Sequence, residues 1–182
     1  MKKITLVIEN ESIFHSQYLK QLIKKFKVYN SYKINVCIYF GSSVSDINFK
    51  IILSCLKFNF NQFIKGTKFF LVNFFKRMIN NELNIKQICK NNNIPYKKIF
   101  NNEDLINCIN IFNTEYIINA SSLIFSKDVF QKNIIMINKH SGQIPKYMGS
   151  YPLFWSFYNS EDKFFITINF IELAIDEGEV IT

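Results

Sequence analysis

Three features of this sequence predict an α/β fold, an open, mostly parallel sheet with helices on both faces. Short, largely apolar runs recur at residues 4–8, 36–40, 116–118 and 134–137, the pattern of strands buried on both faces. Stretches with helical spacing separate them. No internal repeat interrupts the alternation, which argues for one open sheet built from successive strand–helix units. At 182 residues the chain is expected to form a single domain, 1–182, large enough for a proper core.

The first run leads into the turn Glu9-Asn10-Glu11-Ser12. Ser12 is placed to cap a helix over about 13–26, with Phe14, Tyr18, Leu22 and Phe26 on one face. Strand, helix and the strand at 36–40 then make a right-handed βαβ unit. After Gly41-Ser42-Ser43, Asp46 is placed to cap a helix reaching about 58. The phenylalanine-rich stretch 63–79 carries Lys65, Lys68, Lys76 and Arg77. It reads as a helical hairpin on the sheet with its lysines in water, against the alternative of an amphipathic membrane-touching surface.

A helix over 84–92, an extended piece over 94–99 and a helix over 104–112, spaced through Leu105, Cys108, Ile109 and Phe112, come next. The strand at 116–118 ends in Asn119-Ala120-Ser121-Ser122, small residues that leave room for a ligand. Ser126 is placed to cap a short helix before the strand at 134–137. A last strand over 164–170 leads to the acidic turn Asp176-Glu177-Gly178. In such sheets ligands bind at the carboxyl ends of the strands, where Asn119, Asn138 and His140 fall.

Several function classes drop out. The turn after the first strand has no glycine, two glutamates there would repel a pyrophosphate, and no G-x-x-x-x-G-K-[ST] occurs; dinucleotide and P-loop chemistry are not expected. The net charge of +8 comes from scattered lysines without a basic stripe. It is better explained by AT-rich codon usage than by nucleic-acid binding. Cys37, Cys55, Cys89 and Cys108 lack metal-ligand spacing and sit in apolar settings, so they read as reduced, buried thiols. With two histidines and no clustered cysteines, no metal site is expected. The N-terminus lacks a signal h-region and no segment approaches a membrane span, so a cytoplasmic location without a membrane partner is expected.

Asn138 and His140 are two apart, so on an extended backbone they leave the same face. An amide can donate to a developing oxyanion and an imidazole can hold a proton near neutral pH. An aspartate near that imidazole would orient it and stabilise its charged form. Ser141 adjoins His140 and diverges from it, which rules out a serine–histidine pair. A histidine at a strand end is also commonly structural, and the residues alone leave both readings open.

The segment Asn138-Lys-His140-Ser-Gly-Gln-Ile-Pro145-Lys-Tyr147-Met-Gly149 resembles the signature of the folate-dependent formyltransferases, about N-x-H-x-S/G-x-x-P-x-Y-x-G. Pro152 and Trp155 at a helix start, Thr167 on the next strand and Asp176-x-Gly178-x-x-Ile181 continue the likeness over the last third of the chain. The resemblance implies a Rossmann-like formyltransferase fold and the transfer of a formyl group from N10-formyltetrahydrofolate to a primary amine. It implies catalytic roles for Asn138, His140 and Asp176, and a pterin near Ala120, Ser121, Ser122, Leu123, Ile124 and Phe125 and the loop before Asp176. The wording around Pro145 and the helix from Pro152 look most like the amino-sugar branch, so the acceptor is expected to be a nucleotide-linked amino sugar. Asn10, Tyr151 and Trp155 would then face it, though Trp155 in plain core packing is an equal alternative. A methionyl-tRNA enzyme relative and an inactive folate-binding remnant are the competing readings, and the resemblance leaves room for a homodimer. Because the family adds a further strand and helix beyond the acidic turn, the domain is expected to be truncated at its C-terminus.

Overall fold

The computed structural model of the chain describes residues 1–10, 14–29, 31–41 and 84–182. The predicted Ser12 cap, the helix after Asp46, the stretch 63–79, Glu11 and Cys55 lie outside these residues. The described strands are β1 (Lys2–Glu9), β2 (Tyr32–Tyr39), β3 (Tyr96–Ile99), β4 (Tyr116–Ala120), β5 (Ile135–His140) and β6 (Thr167–Phe170). The described helices are α1 (Phe14–Val28), α2 (Ile85–Asn91), α3 (Asn102–Phe112), α4 (Lys127–Phe130) and α5 (Pro152–Tyr158).

The strands form one six-stranded sheet in the order β3-β2-β1-β4-β5-β6. Every neighbouring pair is parallel except β5 and β6, which are antiparallel. The α/β class and the mostly parallel sheet are as the apolar runs predict. β1 lies between β2 and β4, so the winding reverses at β1, and such a switch point opens a crevice at the carboxyl ends of the strands.

Alternation along each strand divides the core in two. Ile4, Leu6 and Ile8 of β1 join Val36 and Ile38 of β2 under α1 and α2, with Leu19, Ile23, Ile85, Ile88 and Cys89. On the opposite face Val7, Cys37, Ile99, Ile117 and Met136 pack under α3 and α4, with Leu105, Cys108, Ile109 and Val129. Leu6 is wholly buried in the central strand. Leu6→Ala is therefore expected to cost about 3 kcal/mol, read as a lower urea midpoint at unchanged slope. Cys37, Cys89 and Cys108 are free and buried, and burial pushes the Cys89 thiol up to about 12.

The sequence places several elements with offsets that have physical causes. The buried line of α1 is Ser16, Leu19 and Ile23, while Tyr18, Leu22 and Phe26 are only half-buried. Positions four apart drift around a 3.6-residue turn, so the predicted stripe runs along the edge of the packed face. Ser126 stands at the N-cap position of α4, yet its hydroxyl makes no cap bond. α2 and α3 are instead capped by asparagines: Asn84 Oδ1 accepts from Lys86 N at 3.0 Å, and Asn101 Oδ1 accepts from Asp104 N at 2.9 Å. β5 extends through His140, so Asn138 and His140 belong to the strand and do not follow it. β6 begins only at Thr167, with Phe164, Phe165 and Ile166 exposed before it.

Candidate active site

β5 delivers two polar side chains to one face near its carboxyl end. In register, Asn138 pairs with Asn119 of β4 on one side and Asn169 of β6 on the other, and His140 pairs with Thr167. These residues continue the face that holds Met136 and Ile117, so a polar end caps an apolar floor. β6 then leaves the sheet edge through residues 171–175 and returns Asp176 to the same place.

Asp176 is the hub of the cluster. Asn138 Nδ2 donates to its Oδ1 at 3.2 Å, His140 Nδ1 lies 3.4 Å from its Oδ2, and Gly149 N donates to Oδ2 at 2.7 Å. The His140 and Asp176 side chains are only 7% and 8% exposed, and charges interact more strongly in such surroundings than in water. Asp176 adopts φ 58°, a left-handed conformation that aspartate tolerates better than most residues.

The histidine is fixed at both nitrogens. Nε2 lies 2.5 Å from the Tyr147 carbonyl, which can only accept, so Nε2 carries a hydrogen. A neutral ring would then set the Nδ1 lone pair against the Asp176 carboxylate. The carboxylate 3.4 Å from Nδ1 and the carbonyl at Nε2 together hold the ring in one orientation. Asn138 donates one amide hydrogen to Asp176 and has a second for an external oxygen.

The surrounding loop is braced from several sides. Thr167 Oγ1 donates to Gly142 O at 2.6 Å and accepts from Ile144 N at 3.3 Å. A Cβ at Gly142 would lie 2.5 Å from Pro152 Cβ and 3.2 Å from His140 Nε2, so the start of α5 packs directly beside the imidazole. Tyr147 OH donates to Glu161 Oε1 at 2.6 Å, as does Lys146 Nζ at the same distance. These two donors hold the Glu161 carboxyl below its ordinary value. On the opposite face of β5, Lys139 Nζ donates to Ser141 Oγ at 3.0 Å, so the Ser141 hydroxyl is engaged with that lysine. Burial lowers the Lys139 pKa.

The structure brings Asn138, His140 and Asp176 into one cluster, Asn138 hydrogen-bonded to Asp176 and His140 in contact with it. The loop after β4 starts one strand away, since Asn119 is in register with Asn138. Within it Ala120, Leu123 and Phe125 are buried, whereas Ile124 is exposed. Leu123 and Phe125 turn into the core, so they can meet a ligand only through their backbone. Tyr151 is exposed with φ 60° and directly precedes Pro152; an aromatic residue held there is strained, a feature concentrated at functional sites. Trp155 is 42% exposed, edge-on to Phe154 and Tyr158, so it is not a core residue. Asn10 is exposed just past the end of β1, which lies two strands from β5, with its N–H on Tyr39 O at 2.8 Å.

Residue patterns missed three contributors. Gly149 N–H and the Tyr147 carbonyl act through the backbone, which no side-chain pattern reports. Asn169 is 1% exposed beside Asn138, and its Oδ1 has no partner among the described residues; an asparagine inside an apolar strand was the available signal. Among the described residues no group of three His, Cys, Asp or Glu could hold a metal ion, and no helix is long and apolar enough to cross a membrane.

No family model and no curated protein matches this sequence. Solved structures do match in shape. The phosphoribosylglycinamide formyltransferase of Anaplasma phagocytophilum aligns with TM-score 0.64 at 13% identity, covering 99% of this chain and 69% of that one. A formyltetrahydrofolate deformylase from Pseudomonas syringae gives 0.65 at 12% identity, covering 100% of this chain and 49% of that one. A sugar N-formyltransferase from a Shewanella species gives 0.56 at 16% identity, covering 100% and 56%. The chain thus spans 49% to 69% of the length of these three proteins. It has the fold shared by these three proteins.

Proposed function

We propose that this chain transfers a formyl group from N10-formyltetrahydrofolate to the primary amine of a small acceptor, a nucleotide-linked amino sugar in the finer reading. The observation that carries the proposal is the Asn138–His140–Asp176 cluster, built at the carboxyl end of β5 on a formyltransferase fold. The same fold serves a phosphoribosylglycinamide formyltransferase, a sugar N-formyltransferase and a formyltetrahydrofolate deformylase, so the reacting group is better supported than the acceptor. The exposed aromatics Tyr151 and Trp155 beside the site favour an acceptor with a sugar or base to stack against.

In this reading the neutral amine attacks the formyl carbon, and a C–N bond forms as the carbonyl oxygen takes up negative charge. The free amide hydrogen of Asn138 is directed at that oxygen, and the imidazole of His140 lies beside it. The attacking nitrogen gives its proton to the His140–Asp176 pair. The bond from the formyl carbon to N10 of the folate then breaks and N10 receives a proton, leaving a formamide and tetrahydrofolate. Burial keeps bulk water from competing with these donors.

The test is incubation of the purified chain with N10-formyltetrahydrofolate and a panel of amines, including nucleotide-linked amino sugars, with formamide product read by mass spectrometry. Transfer to an amino-sugar nucleotide is the expected outcome. His140→Ala should lower that rate by about 10³-fold without changing the folded signal in circular dichroism. Formate release with no formamide would assign hydrolysis instead, and no release or transfer from the folate would overturn the proposal.

A further inference from the structure

The loop after β4 is held by side chains from three separate elements. Asn119 of β4 accepts from Ser121 N and Oγ at 3.1 and 2.7 Å and donates to Leu123 O at 3.4 Å. Asn102, in the first turn of α3, donates to Ile124 O at 3.1 Å and accepts from Ser126 N at 3.2 Å. The third support comes from β1: Glu9 Oε2 accepts from Ser122 N at 2.8 Å and from Ser122 Oγ at 2.9 Å.

The Glu9 contact differs from the other two. It joins residues 113 apart in the chain and crosses the switch point between β1 and β4, where a ligand crevice is expected. The carboxylate is itself confined, because a Cβ at Gly41 would lie 3.0 Å from Glu9 Oε1 and 2.9 Å from Tyr39 Cε1. Both bonds from Ser122 fall on the one oxygen, Oε2, so a single acceptor atom holds the backbone and the side chain of that residue. Leu123 and Phe125 already anchor the far half of the loop in the core. The near half, with its exposed serine, has no apolar anchor, and the tether from Glu9 supplies one.

We infer that Glu9 is a positioning residue for the formyl-donor site, fixing the loop of residues 120–125 in the shape that receives the folate. The inference rests on the formyl-transfer reading. Glu9 touches no reacting atom; it acts through Ser122. Without it the loop samples further conformations, and the donor binds only the fraction that is correctly shaped. That raises the KM for the donor and leaves the chemical step unchanged.

The experiment compares wild type, Glu9→Ala and Glu9→Gln in steady-state transfer, and measures binding of a non-transferable 10-formyl folate analogue by Trp155 fluorescence. Glu9→Ala is expected to raise the donor KM and the analogue Kd about tenfold, with kcat and the acceptor KM within about twofold. Glu9→Gln is expected to behave like wild type, because its amide oxygen can accept both Ser122 bonds. Such a rescue separates the tether from a role of the charge. An unchanged donor KM in Glu9→Ala, or a Glu9→Gln as impaired as the alanine variant, would overturn the inference while formyl transfer stands. A wild type that neither binds the analogue nor transfers the group would overturn the functional reading first and this inference with it.

Discussion

Replacing Asp176 by asparagine is expected to lower formyl transfer by about 10³-fold or more, a magnitude typical of losing the carboxylate behind a catalytic histidine. The carboxylate receives two donors, Asn138 at one oxygen and Gly149 at the other, and His140 Nδ1 lies 3.4 Å from that second oxygen. An amide of the same shape has one accepting oxygen. Turned towards His140 and Gly149, it sets its NH2 against the NH2 of Asn138; turned the other way, it sets it against the Gly149 N–H. Either choice leaves a donor without an acceptor, and neither can share a proton with the imidazole. The loss should appear in kcat, with the donor KM within about threefold, because Asp176 acts on the reacting centre. The two hydrophobic cores lie elsewhere, so the melting temperature should move by only a few degrees. A variant that retains more than a tenth of wild-type kcat would show that the proton does not travel through this pair.

The dependence on Asp176 explains why the cluster was partly legible in the sequence. Asn138 and His140 lie on one short apolar strand, and period-two alternation puts them on one face wherever that strand is placed. The apolar runs of β1, β2 and β4 were equally plain, since strands buried on both faces admit few polar residues. Contacts between distant residues leave no local period, so the Glu9–Ser122 bonds and the Asn169 register were beyond reach. The antiparallel direction of β6 was also hidden: four residues carry no orientation signal, and the turn chemistry that sets it lies in residues 141–166. The side-chain directions of Leu123 and Phe125 depend on α3 and α4 packing over the same face, which a loop composition of small residues does not convey.

Gly178→Ala is expected to abolish most activity with little loss of global stability. A Cβ at this position would lie 1.9 Å from the Phe170 carbonyl oxygen and 2.7 Å from its carbon, both backbone atoms at the end of β6. No rotamer change relieves such a contact, so one of the two backbones must move. β6 is held by β5 on one edge. On the other edge Phe170 N donates to Glu179 O at 2.9 Å and Ile181 N donates to Ile168 O at 2.7 Å. The free element is the loop 171–178, and moving it carries Asp176 away from Asn138, His140 and Gly149. If the displacement costs about 3 kcal/mol, the docked arrangement falls to less than about one hundredth of the population, and kcat falls about 100-fold with it. Neither core loses a residue, so the melting temperature should drop far less than it does for Leu6→Ala. Gly149→Ala provides the control: Gly149 has φ 80° but open space around its Cβ, so alanine there costs about 1 kcal/mol of backbone strain without a collision. It should retain most of the activity. Near-normal turnover in Gly178→Ala, measured beside that control, would mean that Asp176 reaches the site without the close approach of Gly178 to β6.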